Sequence, residues 1–282
     1  MVGRAVGADA VSPRGGPWSR NASARHAIRY RENWERGALD AGQWVAQCNN
    51  LTEPNFATRG SFTVQQAIVG QGRWAARFDL PADSAKPSAC EVIHDRTLDL
   101  GTHDYYALAL YFPKDWREPS GVFWGLALAQ FNYEGITGAP VGLAAHGNYV
   151  NLIVGSGYFD GYRTQWYTGN GIARGNLPKL YAIPRPLKRG VWHQLIIHVR
   201  WSARMDGAVD VFHRIRGQRR WKRTARLRGY PTVQWSQTRP AATGLGTTDK
   251  IGAYRAQASF PISILNDGFC RATSFRAARS CL

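Results

Sequence analysis

Residues Asp104 to Phe112 constrain this chain more than any other stretch. Tyr106, Leu108, Leu110 and Phe112 alternate there with Tyr105, Ala107, Ala109 and Tyr111. Successive side chains of a strand point to opposite faces, so a period of two with one greasier face predicts a half-buried β-strand. Further strand-like runs are Ser61–Gln66, Arg73–Leu80, Glu91–Leu98, Val122–Phe131, Tyr149–Val154, Trp192–Trp201, Ala208–Ile215, Lys250–Ala256 and Pro261–Leu265. Turn formers separate them: Gly70-Gln71-Gly72, Gly135–Pro140, Gly155-Ser156-Gly157 and Asp206-Gly207. Asp-Gly between two alternating runs is a strong hairpin signal. Helical periodicity is scarce. Many short strands joined by glycine-rich turns predict an all-β chain, a sandwich or jelly roll.

At 282 residues the chain is long enough to bury a large core as one domain. The expectation is a flexible arm over 1–26, rich in Gly, Ala, Ser, Pro and Arg, and one jelly-roll domain over 27–282. No stretch approaches a transmembrane helix in length and apolarity. The four cysteines, Cys48, Cys90, Cys270 and Cys281, form no C-x-x-C pair and have no zinc-like histidine spacing. An even count suggests two disulfides. Of the three pairings, Cys48 with Cys90 and Cys270 with Cys281 is favoured, because the second would pin the C-terminus with a short loop. Disulfides belong to an oxidising compartment, so a secreted or extracellular protein is expected, although no signal peptide is visible.

The net charge is +17, from 36 Lys and Arg against 19 Asp and Glu. Such a surplus concentrates polyanions near the surface, and the planar fork of arginine suits carboxylate, sulfate or phosphate. A codon-biased genome would also enrich arginine. Two stretches lack a clear period. Tyr158 to Lys188 carries Tyr, Trp, Arg, Asn and Pro, and loops of that length usually serve as lids or binding loops. Gln218 to Thr248 opens with Arg219, Arg220, Trp221, Lys222, Arg223, Arg226 and Arg228, either a polyanion contact or a solvated hairpin edge.

Three short signatures follow one another on predicted strands: Ala89-Cys90-Glu91-Val92, Ala129-Gln130-Phe131-Asn132 and Lys250-Ile251-Gly252-Ala253-Tyr254-Arg255. Their order resembles the concanavalin-like jelly-roll polysaccharide lyases, chiefly the heparin lyase I and glucuronan lyase group, with jelly-roll alginate lyases behind them. Trp34-Glu35-Arg36-Gly37 followed by Trp44 resembles the entry strand of that superfamily, and Gly190-Val191-Trp192-His193 its back-sheet hairpin. The likeness covers most of the chain from about Trp34. It departs from the alginate lyases at Ala89, where they carry arginine, at Asn132, where they carry histidine, and at Thr248 and Ala256. The resemblance implies two antiparallel sheets with a concave groove and cleavage of a uronate polymer by β-elimination.

β-Elimination needs the uronate charge stabilised, the C5 proton removed and the departing oxygen protonated. On this reading Tyr254 is the general acid and serves also as base, with Lys250 as its cationic neighbour. Lys250 lies four residues away on the same strand face, whereas Arg255 has the opposite parity. Gln130 and Asn132 share a parity and would hold the carboxylate. His94 is a substitute base, although Glu91 and His94 differ in parity and cannot both face one groove on a regular strand. Glu91, Arg255, Tyr105, Tyr111 and His198 are the expected substrate contacts, and His193 is structural. Tyr105 and Tyr111 would stack sugars over a floor of small residues, or simply pack.

The expected partner is an acidic polysaccharide of glucuronan, heparin, heparan sulfate or alginate type, with no nucleic acid, no membrane and a monomeric chain. No metal site is legible and no cofactor is expected. A structural calcium held by scattered oxygens would leave no mark in the sequence. The rival readings are a non-catalytic carbohydrate-binding jelly roll, a glycoside hydrolase and a charge-driven nucleic-acid binder. A hydrolase needs two facing carboxylates, and nucleic-acid binding has charge but no motif.

Overall fold

A computed structural model describes residues 27–48, 58–82, 87–117, 125–133, 139–159, 164–168, 180–235 and 245–282. The expected arm over 1–26 lies outside them. Numbered along the chain, the strands build two sheets. The eight-stranded sheet runs β15 (Lys222–Arg228), β14 (Ala208–Ile215), β13 (Trp192–Arg200), β7 (His103–Tyr111), β18 (Ile262–Ala272), β5 (Ala75–Leu80), β4 (Ser61–Gln65), with β1 (Ile28–Glu32) also on β18. The ten-stranded sheet runs β11 (Thr164–Thr168), β10 (Val150–Phe159), β9 (Val141–Ala145), β8 (Leu126–Tyr133), β17 (Leu245–Arg255), β6 (Ser88–Leu98), β2 (Val45–Gln47). Three short strands complete it: β12 (Tyr181–Ile183) and β16 (Gln234–Trp235) on β10, and β3 (Thr58–Arg59) on β6. Pairing is antiparallel apart from the two short pairs β3–β6 and β10–β16.

The core lies between the sheets. The greasy face of β7 (Tyr106, Leu108, Leu110) meets Leu126, Phe131, Leu143 and Ile251 of the other sheet in one buried cluster. Tyr106 stacks on Phe131 with ring centroids 4.1 Å apart. Charge is also buried in this layer, and it is paired. Asp104 accepts from Arg271 at 2.7 Å and from the Trp201 indole at 2.9 Å, while Arg96 donates to Asp249 at 2.6 Å. Tyr30 also donates to Asp249, which draws β1 to the ten-stranded sheet. Buried charges persist where such partners are supplied, since removing one leaves the other uncompensated.

The expected hairpin at Asp206-Gly207 joins β13 and β14, which pair from His193↔Ile215 to Arg200↔Ala208. Both favoured disulfides form: Cys48–Cys90 ties β2 to β6, and Cys270–Cys281 ties β18 to the end of the short helix α1 (Phe275–Arg279). The basic run after Gln218 is a strand rather than an irregular loop. β15 pairs with β14 as a sheet edge, with Lys222, Arg223, Arg226 and Arg228 exposed, and charged edges resist unwanted strand pairing. Within 158–188, residues 160–163 and 169–179 lie outside the described residues, and the remainder includes β11 and β12.

Candidate active site

Strand β17 alternates cleanly. Thr247, Asp249, Ile251, Ala253 and Arg255 are buried toward the core, so Thr248, Lys250, Gly252 and Tyr254 face outward. Opposite residues of an antiparallel pair share a face. On β6 the outward partners are Ile93 for Lys250, Glu91 for Gly252 and Ala89 for Tyr254. On β8 they are Gln130 for Lys250 and Ala127 for Tyr254. Glu91, Gln130, Lys250 and Tyr254, four residues from three separate segments, therefore share one face of the ten-stranded sheet.

Gly252 makes this arrangement work. It has φ +153°, and a Cβ there would lie 2.2 Å from the Cys90 carbonyl oxygen and 2.7 Å from the Glu91 Cα. At this position β17 gains one residue on β8, a β-bulge, while its register with β6 stays regular. Only glycine fits between Lys250 and Tyr254. Its missing side chain leaves room above Glu91, and Gly142, paired with Gln130, does the same on the far side.

Glu91 is 8% exposed, and its Oε1 accepts from Gln130 Nε2 at 2.6 Å. Burial pushes the Glu91 carboxyl above the ordinary carboxylate range, while the Lys250 charge and the Gln130 hydrogen bond pull it back. The Glu91–Gln130 bond fixes the amide and leaves its second hydrogen free of Glu91. Tyr254 is half-buried between Ala89 and Ala127, with Ala144 next in line on β9. The position where alginate lyases carry arginine is thus a small residue directly beside the tyrosine. Asn132 pairs with Thr248 at the next outward position of β8, and its side chain lies outside the described residues.

Five of the expected site residues lie elsewhere. His94 faces the core, stacked on Tyr30 at 4.0 Å and packed on Trp44 at 5.0 Å, so it is no base for this face. Strand parity allowed one of Glu91 and His94 outward, and the aromatic cluster takes the histidine. Arg255 is 0% exposed; its Nη2 donates to the Pro81 carbonyl at 2.6 Å and it meets no substrate on this face. Tyr105, Tyr111 and His198 belong to the other sheet. The small-residue floor of β7 is roofed, because Ala107 packs with Ala277, Ala278 and Cys281 of the C-terminal segment. Tyr111 packs on Trp192, and Tyr105 stacks on His198, which bridges His103 and Asp210. His193 is buried and bonded to the Lys188 carbonyl, as expected of a structural residue.

Asn151 escaped the sequence reading. It sits on β10 beside Ala144, is 4% exposed, and its Oδ1 has no hydrogen-bond partner among the described residues. An asparagine within the apolar run Val150 to Val154, at the parity opposite the core residues Val150, Leu152 and Val154, was the available signal. Among the described residues no cluster of three or more His, Cys, Asp or Glu is placed to hold a metal.

Three comparisons bear on this face. A family model described as polysaccharide lyase matches residues 28–268. A search of curated proteins finds no match. Among solved structures the chain is similar to an endo-β-1,4-glucuronan lyase from the fungus Trichoderma reesei, with a TM-score of 0.62 and 14% identity over 89% of this chain and 98% of that one. It is also similar to an alginate lyase from Chlorella virus, with a TM-score of 0.52 and 9% identity over 88% of this chain and 100% of that one. A cellulose-induced protein gives 0.53 and 10% over 87% and 98%. At these identities the structural likeness speaks for the jelly-roll fold, and the family match extends over most of the sequence, so this chain belongs to the polysaccharide lyase family.

Proposed function

We propose that the chain cleaves a uronate-containing acidic polysaccharide by β-elimination on the outward face of the ten-stranded sheet, with Tyr254 moving the proton. The observation that carries the reading is the convergence of Tyr254, Lys250, Gln130 and Glu91 on that face. Lys250 and Gln130 offer a cation and an amide to the sugar carboxylate, which stabilises the charge that develops as C5 is deprotonated. Glu91 acts as a positioning residue for Gln130. As phenolate, Tyr254 takes the C5 proton. The C4–O4 bond then breaks with its electron pair on oxygen, a C4–C5 double bond forms, and the restored phenol returns the proton to that oxygen. One tyrosine serving both steps requires both groups on one side of the sugar, so syn elimination is the expected course.

The substrate put first is a glucuronate polymer, because the fungal neighbour is a glucuronan lyase. Heparin, heparan sulfate and alginate follow. Secretion accords with two disulfides. A monomer acting without a cofactor completes the reading.

The double bond left by elimination absorbs in the ultraviolet, whereas hydrolysis and binding give no such signal. Incubation with a panel of polyuronates should raise the absorbance with one of them, and Tyr254→Phe should lower the rate at least about 100-fold. Full activity in Tyr254→Phe would refute the assignment. Ala89 beside Tyr254 favours one other reading, a binding jelly roll, whose signature is affinity for a polyuronate with no absorbance rise from the wild-type chain.

A further inference from the structure

A second concentration of positive charge, away from the Tyr254 face, lies on the opposite side of the molecule. On the outer face of the eight-stranded sheet, a cleft of about 550 Å3 is lined by Arg214, Arg216, Arg219 and Arg279, with Gln194 and Gln71 among its polar groups. None of its lining side chains is a carboxylate; the one carboxylate in the lining is the main-chain terminus of Leu282, which forms no ion pair with the four arginines among the described residues. None of the four arginines forms an ion pair among the described residues, although Arg200, Arg223 and Arg228 on the same sheet do. The nearby Asp267 lies in the same cross-strand row as Gln194 and Arg214, and its Oδ2 accepts from the backbone amides of Gly70 and Gln71 at 2.8 and 2.7 Å.

The cleft is built rather than merely charged. Arg214 pairs across the strands with Gln194, and its Nε donates to the Gln194 Oε1 at 2.6 Å. Its guanidinium lies over the Trp221 ring, 4.4 Å from the centroid. Gln194 in turn donates to a main-chain carboxylate oxygen of Leu282 at 2.8 Å, and Gln71 donates to the Cys281 carbonyl at 2.6 Å. Arg279 is in the last turn of α1, two residues before Cys281, whose disulfide to Cys270 fastens it to β18. Burial and the Arg279 charge both pull Arg214 below the usual guanidinium value. Like charges held together by a scaffold favour an anion that bridges them, and an arginine fork anchored through Nε keeps its terminal nitrogens for a carboxylate.

We propose that this cleft is an accessory anchoring site for the carboxylates of an acidic polysaccharide, separate from the face that carries Tyr254. The choice of a uronate chain as occupant rests on the function proposed above. A second contact on the same polymer raises the effective concentration of chain at the first, so the site would act on retention rather than on the chemical step.

The test uses the full chain carrying Tyr254→Phe, so that polymer is not consumed, and measures affinity for polyglucuronate by titration calorimetry at fixed ionic strength. Arg214→Gln with Arg279→Gln should weaken binding about tenfold or more, since each loses a charge-assisted contact. Arg216→Gln with Arg219→Gln, which removes no bond to Gln194, should weaken it in the same direction. The control pair Lys222→Gln with Arg226→Gln removes equal charge from the edge strand and should change affinity about twofold at most. With Tyr254 restored, elimination of short oligosaccharides by the cleft variants should match wild type. Unchanged polymer affinity in both cleft pairs, an equal loss in the control pair, or an equal loss toward duplex DNA would each overturn the proposal. Absence of elimination by the wild-type chain would defeat the proposed function while leaving the binding comparison intact.

Discussion

Replacing Gly252 by alanine tests whether the close approach of β17 and β6 assembles the site. The added Cβ would lie 2.2 Å from the Cys90 carbonyl oxygen, where real contacts essentially never fall under 3.0 Å, so the strands must part by about 0.8 Å. Cys90 is held by its disulfide to Cys48, which limits retreat on the β6 side. Overpacking of this kind costs about 1–3 kcal/mol, and an unfavourable backbone conformation about 1–3 kcal/mol more. A total of about 2–6 kcal/mol corresponds to a fall of roughly 3–10 °C in melting temperature for a chain of this size. Gly101→Ala separates the two effects, because Gly101 also has a positive φ, +83°, but nothing within 4 Å of the added Cβ. That control should lose only the backbone part, about 1–3 kcal/mol. A displaced β17 also moves Lys250 and Tyr254 relative to Glu91 and Gln130, and a misplacement of about 1 Å can cost about 100-fold in rate. Thermal unfolding followed by circular dichroism, beside turnover read from ultraviolet absorbance, measures both. A Gly252→Ala protein that melts within about 2 °C of wild type and keeps full turnover would refute the close-packing argument.

Two further perturbations address groups outside the proposed chemistry. Burial raises the Asp267 carboxyl from 3.8 to about 7, helped by Glu35 and opposed by the amides of Gln71, Gly70 and Gly268. A raised carboxyl favours the fold fully below its unfolded value and loses that contribution as pH climbs toward 7. By pH 8 the lost stability amounts to roughly 4 kcal/mol. Asp267→Asn should therefore gain stability over wild type progressively between pH 4 and 8 in denaturant titrations, and parallel curves would reject the linkage. His94→Gln should leave turnover within about twofold while lowering the melting temperature, because the ring packs on Tyr30 and Trp44 in the core. A selective collapse of turnover in a well-folded His94→Gln protein would return the histidine to the site.

The sequence was most legible where the physics is local. Alternation located most of the strands, Asp206-Gly207 located its hairpin, and the Lys250, Gly252, Tyr254 spacing put Lys250 and Tyr254 on one face, because strand parity is a property of the backbone. Cysteine count and loop length favoured the pairing that forms. The basic run at 219–228 was ambiguous, since a charged edge strand and a charged loop have nearly the same composition.

What the sequence determined by itself, then, is which residues can share a face. Which face meets the core and which sheet a strand joins were decided by tertiary structure. Glu91 and His94 are polar residues of opposite parity on one strand, and only the position of Tyr30 and Trp44 draws the histidine inward. Tyr105 and Tyr111 have the alternation of a groove-lining strand, yet β7 pairs with β13 and β18, and the C-terminal helix covers its small-residue floor. Arg255 follows Tyr254 directly and is carried into the core by the same parity that turns the tyrosine out. Parity fixes relative orientation within a strand, whereas the assignment of each face depends on long-range pairing between segments as distant as β6 and β17, which local periodicity does not encode.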